Sequence, residues 1–447
     1  MQLSALPDFL QRTKSKNLTL FISCHAGSVD GIRAYAMIET EETTPKYRWA
    51  VLAVLWVAYT VIFVQRLSIG PLAPFLKSEM SLTNAQIGSL MSAASFGFVS
   101  SMLPAGWATD QIGIRRLLLI GEVTAGFFML SMFWVPSYKA ALIIMTVSGF
   151  GCGCLYPSTA KGVIEWFPMR ERATVMGLKQ TGVNIGGIAS AAILPAVALV
   201  LGWRFGFLFI GILAIMVGIL SFIVYKDPLG QSASQPRTDP GERAKPIRGR
   251  LLLALFKTPD IWLVGLGSVT LAIVEFGVMA HLVLYLTEEL AFPIVDAGIL
   301  LALTQAGGIL GKPGAGLLSD YFLAGSRRRV FMLWSAITCA TSMIITLWGQ
   351  GFSWEFYPVL FVFGVAAIGW GGIHLTLVAE LAGAELAGTV LAVLGAVAYV
   401  GCILGPVLFG YIVDISKSYR LAWLILTILA AVSMIAIFFV REERRRM

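Results

Sequence analysis

Long apolar blocks alternate with short polar segments along the chain after about residue 46. A membrane-spanning helix needs about 20 apolar residues, and twelve blocks reach that length. Backbone polar groups in hydrocarbon need internal partners, and continuous rather than alternating apolar runs favour helices over a barrel. The pattern predicts an all-α polytopic membrane protein with spans at 48–75, 85–109, 116–136, 139–164, 173–200, 204–225, 259–287, 296–319, 329–348, 355–381, 387–413 and 420–440.

The composition indicates that lipid is the solvent for much of the surface. Of 447 residues, 57% are hydrophobic and 13% charged, whereas a soluble domain carries about 25% charged residues. The net charge of +8 does not indicate nucleic-acid binding, because the basic residues lie at the ends of apolar blocks. The five cysteines show neither a disulfide framework nor a zinc spacing. They are Cys24, Cys152, Cys154, Cys339 and Cys402.

The distribution of Lys and Arg predicts the orientation of the spans. Of 33 basic residues, 24 lie in the N-terminal segment, the even-numbered loops and the C-terminal tail, and five lie in the odd-numbered loops. Cytoplasmic loops carry the excess of basic residues, so both termini are expected in the cytoplasm.

Polar segments divide the chain into five parts. The segment 227–257 is rich in Pro, Arg and Gln, a composition typical of a flexible linker. Met37 precedes a charge-flanked first span and is an alternative native start to Met1. The expected parts are a disordered cytoplasmic N-terminal segment (1–45), an N-terminal six-helix half (46–226), a cytoplasmic linker (227–257), a C-terminal six-helix half (258–441) and a basic cytoplasmic tail (442–447).

The two predicted halves repeat each other in sequence. A shift of 210 residues places Gly106 on Gly316 and Asp110 on Asp320 without a gap. A shift of 215 residues aligns the fourth and fifth spans with the tenth and eleventh. Repeated halves with a substrate site at their interface, near the bilayer midplane, are typical of secondary transporters.

The stretch from Gly106 to Arg116 (GWATDQIGIRR) resembles the G-x-x-x-D-x-x-G-x-[RK]-[RK] signature of the major facilitator superfamily. A degenerate copy begins at Gly316 and ends with Arg327 to Arg329. The resemblance implies twelve helices in two pseudo-symmetric six-helix bundles. The cytoplasmic gate is expected to comprise Gly106, Asp110, Gly113, Arg115, Arg116, Glu165, Arg172, Asp320 and Glu380.

A narrower resemblance covers the end of the fourth span. The stretch from Pro157 to Arg172 is similar to the P-x-x-x-K-x-x-x-E-W-F-P-x-x-E-R pattern of the anion:cation symporter branch of that superfamily. The branch carries an Asp-Arg pair in span one, where this chain has Gln65-Arg66. A span-four glutamate of the branch falls at Cys152. The arginine is present and both carboxylates are absent at these positions.

Ionisable residues inside the spans are candidates for substrate binding, because each costs roughly 2.5–3.5 kcal/mol at the bilayer centre. Arg66 is the candidate anion clamp, since a guanidinium offers a two-pronged fork to a carboxylate. The alternative is a structural salt bridge or snorkelling outward. Lys312 resembles the span-eight arginine of oxalate and monocarboxylate porters, and its alternative is snorkelling toward the cytoplasm.

Glu275 in span seven is the candidate proton-coupling carboxylate. The 210-residue shift places it on Gln65, so the two residues are expected to face each other across the cavity. The alternative is a permanent ion pair between Glu275 and Arg66. His281 and His374 are candidate proton relays, and the alternative for each is a hydrogen-bonded packing role.

Further polar and aromatic residues complete the candidate substrate site. The alternative for the aromatic residues is helix packing, and Lys179 could instead reach the gate. These residues are Tyr59, Gln65, Tyr156, Lys179, Gln305 and Tyr399, with Asn184 as a weaker member.

The sequence contains no G-x-S-x-G, H-E-x-x-H or phosphate-loop motif, so an enzyme is not expected. We expect a secondary active transporter that carries a small organic anion, a mono- or dicarboxylate, with a proton by alternating access across a bacterial inner membrane. The expected partners are this anion, a proton or sodium ion and lipid, with no cofactor, metal or nucleic acid, and the protein is expected to be a monomer. The alternatives are a proton-coupled exporter or drug antiporter and a non-transporting membrane receptor or sensor.

Overall fold

A computed structural model describes residues 29–227, 257–348, 354–383 and 386–441. Twelve helical stretches in these residues are long and apolar enough to cross a membrane. Their ends differ from the predicted span ends by at most five residues. The predicted fold class is confirmed, while the orientation of the termini stays a prediction. Residues 1–28, most of the predicted linker and the predicted tail 442–447 lie outside the described residues.

Most spans are single helices, and two are interrupted. The pair α1 and α2 forms the first span, and α11 and α12 form the tenth. A 3₁₀ turn (Met132–Trp134) and two π turns (Tyr285–Glu289 and Leu318–Phe322) extend spans three, seven and eight. The helices are α1 (Val29–Arg66), α2 (Ile69–Met80), α3 (Asn84–Ile112), α4 (Ile114–Ser131), α5 (Tyr138–Trp166), α6 (Met169–Leu201), α7 (Trp203–Val224), α8 (Pro259–Leu284), α9 (Ile294–Leu317), α10 (Arg327–Trp348), α11 (Phe356–Ala367), α12 (Trp370–Ala382), α13 (Ala387–Ser416) and α14 (Tyr419–Phe439).

The chain divides into two compact units. Met1–Ala53 contains the beginning of α1, which starts at Val29, upstream of the predicted start of the first span. Val54–Met447 contains the rest of α1 and all later helices. All contacts described below lie within this second unit.

Local sequence sets several helix ends. Thr83 and Gln86 form a reciprocal capping box in which each side chain accepts a hydrogen bond from the other's backbone N–H, and this starts α3. Gly113 lies between α3 and α4 with φ of 85°, and Gly202 lies between α6 and α7 with φ of 94°. Glycine adopts this left-handed backbone without steric cost, so consecutive spans connect through single-residue turns.

The break in the first span lies directly after Arg66. Pro71 falls in the first turn of α2, where its missing N–H costs no helical hydrogen bond. The hydroxyl of Ser68 donates to the carbonyl of Gln65 at 2.7 Å and satisfies one backbone acceptor freed by the break. Arg66 therefore ends a helix inside a membrane span, where the negative end of the helix dipole favours a cation.

The two halves pack closely at one end of the spans. A Cβ added to Gly88 in α3 would lie 2.1 Å from the Pro406 carbonyl oxygen in α13. A Cβ added to Gly298 in α9 would lie 2.5 Å from the Ala191 carbonyl oxygen in α6. Glycine permits this backbone contact between halves. The end that these contacts close is the predicted outer end.

The glycines near the predicted cytoplasmic ends of the same four helices make no such contact. A Cβ added to Gly106 in α3, Gly177 in α6, Gly316 in α9 or Gly388 in α13 would meet no atom within 4 Å in the part of the chain that the structure describes. Among the described glycines of these helices, close backbone contact between the halves is therefore seen at the predicted outer end and not at these four positions.

Candidate functional site

Arg66 lies where the two halves meet, enclosed by aromatic rings. Its side chain is 3% exposed. The guanidinium carbon lies 4.4 Å from the ring centre of Phe98, 5.1 Å from that of Phe276 and 5.7 Å from that of Tyr399. Phe98 belongs to the N-terminal half, and the other two rings belong to the C-terminal half. Ring faces attract a cation, so they stabilise the guanidinium at this position.

The polar partners of Arg66 are few. One terminal nitrogen lies 3.4 Å from the hydroxyl oxygen of Ser95, and Nε has no hydrogen-bond partner. Among the described residues, no carboxylate lies within 4.0 Å of the guanidinium. The proposed permanent ion pair with Glu275 is therefore not formed in this structure. The side chains of Tyr399 and Cys402 also form hydrogen bonds with the guanidinium, whereas its Nε–H donor is left for another acceptor.

Lys179 provides a second buried cation in the N-terminal half. Its ammonium nitrogen lies 3.9 Å from the ring centre of Tyr59 and 5.5 Å from that of Tyr156. It donates to the hydroxyl of Thr159 at 3.1 Å. The two tyrosine rings pack on each other, and the ring of Tyr156 packs on Phe98, which connects this group to the rings around Arg66. Lys179 therefore lies with the candidate substrate residues rather than with the gate.

Lys312 is the third cation and joins the two halves. Its ammonium donates to the side-chain oxygen of Asn184 at 2.6 Å. The amide nitrogen of Asn184 lies 3.2 Å from the main-chain oxygen and 3.3 Å from the side-chain oxygen of Gln305. Lys312, Asn184 and Gln305 thus form one polar group between α6 and α9.

Glu275 is the carboxylate that belongs to this group of cations. Its Oε2 accepts a hydrogen bond from the indole N–H of Trp370 at 3.0 Å. It interacts electrostatically with Lys312 and Arg66. Trp370 begins α12 at the break in the tenth span. Three basic side chains and one carboxyl group therefore lie in this region.

His374 lies behind Trp370 rather than beside the cations. Its Nδ1 lies 2.7 Å from the Ser268 hydroxyl oxygen, and its ring packs against Trp370 and Phe331. Its Nε2 has no hydrogen-bond partner. The indole of Trp370 contacts both His374 and Glu275.

Gln65 does not face Glu275 across a cavity. Its amide nitrogen lies 3.4 Å from Oε2 of Glu122 in α4, and its amide oxygen lies 3.6 Å from the sulfur of Cys152 in α5. Both ends of the amide are thus engaged inside the N-terminal half. The repeat placed Gln65 and Glu275 at equivalent positions, but Glu122 provides Gln65 with a different partner.

His281 lies in the contact that closes the predicted outer end. Its Nε2 lies 3.0 Å from the carbonyl oxygen of Asn84, the first residue of α3, and its ring stacks on Phe409. Asp414 accepts hydrogen bonds from the backbone N–H groups of Asn84 and Ala85 at 2.9 and 2.8 Å. The carboxylate of one half thereby caps a helix N-terminus of the other half.

An ion pair connects the halves at the same end. The ammonium of Lys77 lies 2.6 Å from Oε2 of Glu288 and 2.9 Å from Oδ1 of Asn84. The hydroxyl of Tyr419 donates to Glu288 at 2.8 Å. We refer to these groups, together with His281 and Asp414, as the outer closure, because they lie at the predicted outer end.

The predicted gate residues of the N-terminal half cluster within that half. Asp110 pairs with Lys161 at 2.7 Å, and Lys161 lies 3.9 Å from Glu165. Arg172 donates to the carbonyl oxygens of Phe167 and Ile164 and so caps the end of α5. The other N-terminal gate residues lie around the α3–α4 turn: Arg115 donates to the Phe222 carbonyl, Gly113 forms the turn, Arg116 is exposed and Gly106 faces open space.

The C-terminal half has an equivalent cluster. Arg327 pairs with Asp320 and, at 3.1 Å, with Glu380. Among the described gate residues, every ion pair lies within one half. This agrees with the separation of the helices at the predicted cytoplasmic end.

Some residues of the site were not predicted from the sequence. Phe98, Phe276 and Trp370 are aromatic residues in apolar spans, and nothing in their local pattern separates them from lipid-facing or packing residues. Glu122 is different, because it is the single charged residue between Arg116 and Lys139. Its position in an apolar block could have identified it. Among the described residues, no group of three His, Cys, Asp or Glu side chains could hold a metal ion.

Comparison with known proteins identifies the family of this chain. Residues 55–406 match the family model of the Major Facilitator Superfamily. The hexuronate transporter of Bacillus subtilis is 24% identical over 413 residues, which cover 89% of this chain and 95% of that protein. The probable sulfoacetate transporter SauU of Cupriavidus necator is 23% identical over 415 residues, which cover 88% of this chain and 94% of that protein.

A solved structure shares the fold. It is a bacterial homologue of the human lysosomal transporter Spinster, in an inward-facing and occupied conformation. The TM-score is 0.72 at 17% sequence identity, with 88% of this chain and 97% of that chain covered.

Proposed function

Because this chain belongs to the major facilitator superfamily, we propose that it is a secondary active transporter that carries a small organic anion together with a proton. The two halves move about the site by alternating access. The closed outer end and the separated inner ends represent the inward-facing state. The membrane is the bacterial inner membrane, with both termini in the cytoplasm.

The uncompensated charge of Arg66 is the observation that carries the anion proposal. A buried charge without a counter-ion is strongly destabilising. Aromatic faces offset part of this cost, and the remaining donors have no described carboxylate within 4.0 Å. A substrate carboxylate at this position accepts two parallel hydrogen bonds from the guanidinium and supplies the missing charge.

The nature of the substrate follows from the surroundings of Arg66. Lys179 and Lys312 add point charges at other sides of the site, and the tyrosines add hydroxyl groups. The named substrates of the two relatives, a hexuronate and sulfoacetate, both carry a carboxylate. We therefore infer a carboxylate with a polar or second anionic group at its other end.

Glu275 provides the proton coupling in this proposal. When it is ionised, its carboxylate competes with the substrate for Lys312 and Arg66. When a proton binds to this carboxylate, both cations become free to bind the anion. Proton and anion then bind cooperatively, as symport requires.

Uptake into proteoliposomes tests the function. Labelled hexuronates, aldonates, sulfonated carboxylates and simple mono- and dicarboxylates are supplied with and without an imposed pH gradient. We expect accumulation of at least one carboxylate when the outside is acidic. Export of organic cations without uptake of any anion would contradict the proposal.

Replacement of the coupling carboxylate gives a sharper test. Glu275→Gln imitates the protonated form, so it is expected to retain exchange of labelled for unlabelled anion and to lose accumulation driven by a pH gradient. Glu289→Gln, at an exposed glutamate, is the control and should retain both activities. If Glu275→Gln still accumulates the anion, the coupling proton binds elsewhere.

A further inference from the structure

Glu122 is a buried carboxyl group outside the substrate site. It lies midway along α4 (Ile114–Ser131) and has no exposed surface. Its Oε2 lies 3.4 Å from the amide nitrogen of Gln65, and its Oε1 has no hydrogen-bond partner. No cation lies within 4.0 Å of it among the described residues.

The groups that face Glu122 are neutral. α5 presents the thiol of Cys152 and, two residues further along, that of Cys154, which packs near Gly121. α7 presents Gly218, and between Arg204 and Tyr225 that helix contains no titratable residue. α1 presents the amide of Gln65, whereas the guanidinium of Arg66 is directed to Phe98 and Phe276.

An ionised carboxylate cannot persist in these surroundings without a large cost. Moving an isolated carboxylate from water into a low-dielectric interior is far more expensive than burying a neutral polar group, and a group in this situation neutralises instead. A single long contact from an amide offsets little of that cost. A neutral carboxylic acid requires no counter-ion.

We propose that Glu122 is a second proton-binding site of the transporter and holds a proton on its carboxyl group in the inward-facing state. This inference rests on the proposed proton coupling and adds a site to it. In the proposed cycle this proton is released in another state of the transporter. No bond other than the carboxyl O–H forms or breaks.

Gln65 connects this site to the substrate. It precedes Arg66 at the end of α1 and bridges Glu122 to Cys152. An ionised Glu122 would attract the charge of Arg66 and oppose the binding of an anion there. A protonated Glu122 leaves Arg66 free, so proton and anion again favour each other's binding.

Infrared spectroscopy of the purified full chain tests the protonation state directly. A protonated carboxylic acid has a C=O stretching band that neither a carboxylate nor an amide shows. We expect a band at neutral pH that is present in the wild type and in Glu289→Gln and absent in Glu122→Gln. Equal spectra for the wild type and Glu122→Gln in this region would overturn the proposal.

A second variant covers the case in which Glu122→Gln does not fold. Gln65→Leu retains the carboxyl group and removes its amide contact, so the acid band should persist at a shifted frequency. If no acid band responds to this change, the band does not belong to Glu122 and the inference fails.

Transport measurements distinguish a failure of this inference from a failure of the proposed function. In proteoliposomes, Glu122→Gln should retain anion exchange but accumulate with about one proton fewer per anion, because the proton-carrying group is gone. An unchanged proton-to-anion ratio would refute the transport role of Glu122 while proton-coupled symport still stands. If the wild type shows no response to a pH gradient, the proposed function fails whatever the infrared result.

Discussion

The guanidinium of Arg66 combines two features that rarely occur together, deep burial and the lack of a carboxylate partner. Its position at the end of α1 explains the first feature, because the break exposes carbonyl groups that favour a cation there. The rings of Phe98 and Phe276 stabilise the charge without neutralising it. In the proposed function, this guanidinium is the group that binds the anion.

Replacing this guanidinium tests whether its shape or only its charge matters. Arg66→Lys retains the positive charge but loses the planar fork and the stacking on Phe98. We expect the affinity for the transported anion to fall about tenfold, or about 1.4 kcal/mol. Titration calorimetry on the detergent-solubilised protein measures this change.

The control for this substitution is Arg170→Ala, at a side chain that is 87% exposed. Its affinity should equal that of the wild type. Wild-type affinity in Arg66→Lys would mean that a point charge alone binds the anion. Wild-type affinity in Arg66→Ala would mean that Arg66 is not part of the site.

At the residue scale, the free-energy cost of burying a charge is a better signal for candidate site residues than the hydrophobic pattern is. Arg66, Lys312 and Glu275 are predicted as candidates because a charged group in an apolar span is costly unless it has a function or a partner. Glu275 interacts electrostatically with the other two residues. The same rule applies to Glu122, the one charged residue between Arg116 and Lys139, although it was not predicted. Phe98 carries no such cost, so its role depends on tertiary contacts that the local sequence does not contain.

At the element scale, glycine decides how closely helices of different halves approach. Gly88 and Gly410 line the contact of α3 with α13, where an added Cβ would meet the carbonyl oxygens of Pro406 and Asn84 within 2.2 Å. The contact is between backbones, so side-chain rearrangement cannot relieve a clash. The outer closure therefore depends on these positions.

The helix breaks show what the apolar pattern leaves out. It predicted continuous spans at 48–75 and 355–381, whereas α1 ends at Arg66 and α11 ends at Ala367. Ser68-Ile-Gly-Pro71 is a local signal for the first break. Lipid requires apolar side chains on both sides of a break, so hydropathy alone does not detect it.

A single methyl group tests the outer closure. Gly88→Ala places a Cβ 2.1 Å from the Pro406 carbonyl oxygen, and such overpacking costs about 1–3 kcal/mol. We expect the population to shift about tenfold or more toward states with an open outer end. The measurement uses Ser92→Cys, at a buried side chain of the same contact, in a background without native cysteines. Its labelling by a thiol reagent added from outside should become faster.

Gly395→Ala is the matched control, because a Cβ there meets nothing within 4 Å in the described part of the chain. Its labelling rate should equal that of the parent. Equal rates for Gly88→Ala and Gly395→Ala would show that the outer contact does not resist opening.

At the scale of the whole molecule, the number and order of the spans were predictable and the conformational state was not. Twelve apolar blocks and their repeat gave the fold class, because length and hydropathy decide which segments enter lipid. In the proposed alternating access, the same sequence also forms the opposite state, in which the Asp110 and Asp320 clusters approach each other. The local sequence does not show whether one end of the spans is closed or open. The contact of Lys77 with Glu288 is therefore visible in the structure and not in the sequence.

That contact allows a test of alternating access itself. In a background without native cysteines, Lys77→Cys and Glu288→Cys are bridged by a cleavable bifunctional thiol reagent that spans the original ion pair. The bridge holds the halves together at the outer end, so the protein should bind the anion from the inner side and carry none across the membrane. Binding is measured in detergent and uptake in proteoliposomes, and cleavage of the bridge should restore uptake.

The matched control bridges Glu79→Cys to Arg204→Cys, an ion pair within the N-terminal half. This second bridge joins helices that move together, so transport should continue. Uptake at the parent rate through a protein fully bridged between the halves would exclude movement of one half against the other as the transport step.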